Sequence, residues 1–148
     1  MLMLVLPVLS VIIDGYTGGG GAMDLAGKWF VFWSVGIRLL TAGLKQVIQP
    51  AFTAEKIFHL SDRGSFVVVK ELGFSNICFG ALGIASLFLP SWRMAAAATG
   101  GLFFGIAGVT HIFKKPAGAN EWIALVSDVF MAVVLGAYVI LRSVSGIQ

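Results

Sequence analysis

Long apolar runs alternate with short polar breaks along this chain, and the runs come in two lengths. Four of them, residues 25–48, 66–89, 94–113 and 122–141, are close to the roughly 20 residues a helix needs to cross about 30 Å of hydrocarbon. A fifth, residues 1–13 (MLMLVLPVLSVII), covers only about 20 Å as a helix. It lacks the basic n-region of a signal peptide, since the first basic residue is Lys28, and we read it as a retained, thin first helix. Residues 14–24 (DGYTGGGGAMD) are glycine-rich and without periodicity. Such a stretch would leave its amides unpaired in lipid, so it is expected to be an extramembrane loop. Pro50 disfavours helical geometry at Gln49 and closes the second helix. Residues 53–60 (TAEKIFHL) then predict a short amphipathic surface helix, with Thr53 as its N-cap and Glu55 in its first turn. Residues 61–64 are the turn that follows, and 90–92 and 114–120 are tight connections between helices.

Composition fixes the class. The 148 residues are 58% hydrophobic and 11% charged, with a mean hydropathy of +0.95, whereas soluble domains are about 45–50% apolar and about 25% charged. The expected fold is therefore all-α: one integral membrane domain over residues 1–148, a transmembrane bundle of four long crossings with a short N-terminal helix. The net charge of +3 comes from scattered rather than clustered basic residues, which excludes a nucleic-acid surface. With five crossings, Lys45, Lys56, Arg63, Lys70, Lys114 and Lys115 share one side, against Lys28, Arg93 and Arg142 on the other. The positive-inside rule puts the first side in the cytoplasm, with the N-terminus there and the C-terminus outside. The single cysteine, Cys78, allows no internal disulfide.

Ionisable and strongly polar residues inside apolar runs are costly and mark candidate sites. Here they are Arg38, Glu71, Asn76, His111 and Asp128, all toward the same side of the membrane by chain alternation. At 100° per residue, Ser34, Thr41, Lys45 and Gln49 fall within about 60° of Arg38, so the second helix carries one polar stripe. On the last helix Glu121 lies within about 40° of Asp128. We expect a buried cluster in which Arg38 pairs with Asp128 or Glu71, with His111 and Asn76 completing the hydrogen bonds and Lys45, Gln49 and Glu121 lining its approach. The competing reading is that these pairs only lock the bundle. His59 is expected to be a solvated loop residue. No haem or metal is expected: His59 and His111 lie on different elements, and no Cys/His cluster exists. Small residues form a second pattern, Gly101, Gly105 and Gly108 on one face and Gly73, Gly80 and Gly83 on another. Such faces let helices approach closely, within the chain or between subunits.

Four segments, 36–53 (GIRLLTAGLKQVIQPAFT), 71–83 (ELGFSNICFGALG), 101–113 (GLFFGIAGVTHIF) and 120–128 (NEWIALVSD), resemble an uncharacterised family of small bacterial multi-pass membrane proteins, a domain of unknown function. That resemblance implies the bacterial inner membrane and brings no activity. More distantly, Arg38, Lys45 and Glu71, in a basic helix with AGLK followed by ELG, are similar to the DoxX-like four-helix membrane proteins, some of which accompany quinone-linked oxidoreductases. His111 and Asp128 lie outside this likeness. The leading functional expectation is a bundle, more a binder than an enzyme, whose polar pocket takes a small amphipathic molecule or ion. The alternatives are an accessory subunit, packing through its glycine faces against itself or a larger membrane complex, a quinone-linked redox accessory, and a proton or ion path.

Overall fold

A computed structural model describes residues 2–18, 20–114 and 118–146. We label its helices α1 (Leu2–Tyr16), α2 (Ala22–Ile48), α3 (Pro50–Lys56), α4 (Arg63–Phe88), α5 (Arg93–Lys114) and α6 (Ala119–Ser145), with a 3₁₀ turn, Pro90–Trp92, leading into α5. Four segments, Ala22–Ile48, Arg63–Phe88, Pro90–Lys114 and Glu121–Ser145, are long and apolar enough to cross a membrane, and α1 is a shorter apolar helix. Gly19 and residues 115–117, parts of two expected connections, lie outside the described residues.

The element ends differ from the sequence pattern for identifiable reasons. The first helix takes in Asp14, Gly15 and Tyr16, assigned above to the loop, because Asp14 is anchored to α2: its Oδ2 accepts from Lys28 Nζ at 2.7 Å and from Trp29 Nε1 at 2.8 Å. Trp33 Nε1 adds a third tie, to Ser10 Oγ at 3.0 Å. The chain then reverses through Gly18 and Gly20, at φ 86° and 113°, conformations open to glycine without a Cβ penalty. Helix α3 starts at Pro50, not after Thr53, because proline at the first helical position has its φ pre-set and lacks an N–H that would be orphaned anyway. Thr53 is thus a buried residue inside the helix rather than its cap. Helix α4 is capped by Asp62, whose carboxylate accepts from Ser65 N at 2.7 Å.

Within α2, residues Val31–Arg38 form a π-helical stretch. The Ser34 hydroxyl donates to the Phe30 carbonyl there, and a side chain that enters the backbone ladder is a recognised way to loosen it. Glycine sets the contact between α2 and α4. A Cβ on Gly83 would lie 2.4 Å from Gly36 N, one on Gly80 2.5 Å from Leu40 N, and one on Gly43 2.6 Å from Gly73 O. Backbone therefore meets backbone along α2 and α4, as small residues permit in membrane bundles. The second glycine face lies against α6: a Cβ on Gly101 would be 3.4 Å from Leu135 Cβ, one on Gly105 3.8 Å from Ala132 Cβ, and one on Gly108 3.0 Å from Val129 Cγ2. Both faces have partners inside the chain. Between the two seams, Val31, Val35, Leu39, Ala96, Ala97, Phe104, Met131 and Leu135 form the apolar core.

Candidate functional site

Three of the five polar candidates meet. Helix α6 turns Leu125, Asp128, Met131 and Leu135 inward at spacings of three and four residues, so Asp128 occupies a core position, with its side chain only 6% exposed. Arg38, the last residue of the π-helical stretch, reaches it from α2 and donates from Nη2 to Asp128 Oδ1. The guanidinium also lies over the Phe104 ring, 4.8 Å from its centroid, a favourable stacking for a partly desolvated cation. Phe104, Gly108 and His111 succeed one another on one face of α5, and His111 Nε2 stands 3.7 Å from Asp128 Oδ2. Both carboxylate oxygens thus face a nitrogen base. Arg38 adjoins core Leu39, and Asp128 is three residues from core Leu125 and Met131; Gly108 lets α5 and α6 close enough for His111 to take part.

The other two candidates lie elsewhere. Asn76 is buried at 3% exposure, but its Nδ2 donates to Gln46 Oε1 at 2.8 Å, across the glycine seam of α2 and α4. It belongs to a second polar contact, not to the Arg38 group. The sequence reading missed Gln46, although Gln46 follows Gly43 by three residues and so shares its glycine face. Glu71 is exposed on α4, as are Ser75 and Cys78 on the same side, and among the described residues it makes no ion pair. The expected inward position of Glu71 is therefore corrected to an outward one. Lys45 is exposed with its ammonium 3.7 Å from the Phe52 ring centroid, and Gln49 is exposed at the end of α2.

A cleft of about 480 Å³ opens beside His111. One wall is α3 and the residues after it, with Phe52, Lys56, Ile57 and His59; the other is the end of α5 and the start of α6, with His111, Glu121 and Ala124. Ala124 is one helical turn before Asp128, so the cleft ends where the charged group begins. The two sides come together because α3 stops abruptly. After Lys56 the chain is held by Phe58 N to Thr53 O at 3.0 Å and Leu60 N to Ala54 O at 2.8 Å, and His59 between them adopts φ 57°. Left-handed geometry is uncommon outside glycine, with histidine among the residues that tolerate it better. His59 is the exposed residue outside the helices that was expected, and it also borders the cleft; no hydropathy signal announces a side chain placed by a chain reversal. Among the described residues, no three His, Cys, Asp or Glu side chains are grouped so as to hold a metal ion.

A family model described as a family of unknown function (DUF6790) matches residues 1–146, and the chain belongs to that family. No curated protein and no solved structure matches it significantly.

Proposed function

We propose that this is a multi-pass membrane protein that binds a small amphipathic molecule in the cleft between α3 and the facing ends of α5 and α6. The observation that carries the reading is the position of His111, which lines a cleft of about 480 Å³ on one side and stands 3.7 Å from buried Asp128 on the other. That volume falls in the range of small-ligand sites, roughly 300–1,000 Å³. Apolar walls from Phe52, Ile57 and Ala124 are combined with polar groups from Lys56, His59, His111 and Glu121. In this reading the Arg38–Asp128 pair fixes the floor of the site. On the same reading the excess of basic residues at this end puts the cleft on the cytoplasmic side of a bacterial inner membrane. A redox role of the DoxX-like kind draws less support, because Arg38 joins Asp128 while Lys45 and Glu71 are exposed away from that pair. An accessory-subunit role is also less favoured, since both glycine faces pack within the chain.

Native mass spectrometry of the protein in mild detergent tests the proposal, with Ala124→Phe as the variant that fills the cleft. A reproducible co-purified mass on the native chain, lost from the folded variant, is expected. A bare native chain that gains no mass from a panel of amphiphiles, in either of two detergents, would overturn it.

A further inference from the structure

The cleft bears basic side chains that no acid of the described chain takes up. Among the described residues, the side chains of Lys56 and His59 make neither a hydrogen bond nor an ion pair, and both border the cleft. His111 borders it too, and its carboxylate partner Asp128 is already engaged by Arg38. The acid of the lining, Glu121, is engaged within the chain. The Lys45 ammonium stands over Phe52, a further wall residue, at 3.7 Å from the ring centroid. Three basic side chains, Lys56, His59 and His111, thus border one cleft to which Phe52, Ile57 and Ala124 supply apolar surface. Arg38, by contrast, is withdrawn into its pair with Asp128 and is not the group that would meet a ligand's charge.

We infer that the ligand of this cleft is an amphipathic anion, a single carboxylate or phosphate head on an apolar tail, with its head held by Lys56, His59 and His111 and its tail laid against Phe52 and Ile57. The inference rests on the binding reading above and adds the sign of the head group and the residues that meet it. His59 makes it unusually testable. Its φ of 57° is one that glycine adopts freely, so His59→Gly removes the imidazole while keeping the turn that closes α3.

The experiment uses the full chain in nanodiscs of neutral phosphatidylcholine, titrated with decyl phosphate, decanoate and uncharged decanol. Saturable binding of an anion, with decanol at least tenfold weaker, is the expected result. His59→Gly and Lys56→Gln should each weaken anion binding by roughly tenfold or more, the worth of one hydrogen bond to a charged group, with no loss of thermal stability. Arg142→Gln, at the other end of the bundle, should leave it unchanged. A second set of nanodiscs containing phosphatidylglycerol separates the sources: competition there identifies a bilayer lipid as the anion, and its absence a free amphiphile. Equal binding of decanol and decyl phosphate, or full retention of anion binding in both cleft variants, would overturn the inference and leave the binding reading standing. No saturable binding of any of the three would overturn both.

Discussion

The two ends of the bundle treat their cations in opposite ways. At the end where α2 begins, Lys28 is 2.7 Å from Asp14 and Arg142 3.1 Å from Asp24, while buried Arg93 directs Nη1 to the Asp24 carbonyl at 3.5 Å. The cleft on that side, about 450 Å³ between α2 and α6, is lined by apolar side chains such as Ala26, Phe30, Val134 and Leu141. At the end where α3 lies, Arg38 is committed to buried Asp128, and the Lys56 ammonium and the His59 imidazole are left over beside a cleft with mixed walls. The number of basic residues at an end says less than the number without a local partner. Leftover charge next to enclosed space is what distinguishes a candidate site from a membrane-edge anchor.

The comparison can be broken most severely at the buried pair. Asp128→Asn leaves Arg38 without its counter-charge, and removing one partner of a buried ion pair costs about 3–5 kcal/mol, read as a fall in the detergent unfolding midpoint; replacing both Arg38 and Asp128 by apolar residues should recover much of it. Next come the glycines, which the two ends share. Gly83→Ala drives a Cβ to within 2.4 Å of Gly36 N, an overpacking worth about 1–3 kcal/mol. Gly105→Ala, whose Cβ would be 3.8 Å from its neighbour, should be neutral or stabilising by up to about 1 kcal/mol, the helical preference of alanine over glycine. Equal effects of the two would contradict the seam described here.

At the α2 end the sharper test is acid. The hydrogen bond from Lys28, and then that from Trp29, hold Asp14 below its ordinary carboxylate value. The contribution is therefore complete above about pH 4, the unfolded value, and is lost as pH falls through the lower folded one. Trp29 fluorescence should shift in that acid window, and Asp14→Asn should abolish the shift. The smallest effect belongs to Arg142 and Asp24, whose side chains are 41% and 48% exposed. Arg142→Gln should change stability by about 1 kcal/mol or less, and a larger loss would show that this end is not the solvated one.

Element types were legible because apolar run lengths and glycine and proline positions act locally. Arg38, His111 and Asp128 were legible as a group because each is a charged or polar residue stranded in an apolar run, where cost implies a partner. Glu71 carried the same signal and faces outward; hydropathy marks depth along a helix but not which side faces a neighbour, and that side is set by the Gly36–Gly83 contact. The cleft was not legible at all. It depends on His59 and the chain reversal at the end of α3, a tertiary juxtaposition with no periodicity.

The π-helical stretch Val31–Arg38 has a consequence for chain length. Bonding to the fifth residue instead of the fourth stores one surplus residue within a helix. A one-residue deletion elsewhere in α2 would rotate one half of the helix against the other by about 100°, parting either Lys28 from Asp14 or Gly43 from Gly73. A deletion inside 31–34, which spares Gly36, only draws the wide turn down to an ordinary one, with both halves still in phase. This is the stretch of α2 where the gene can lose a codon and both ends of the bundle keep their contacts.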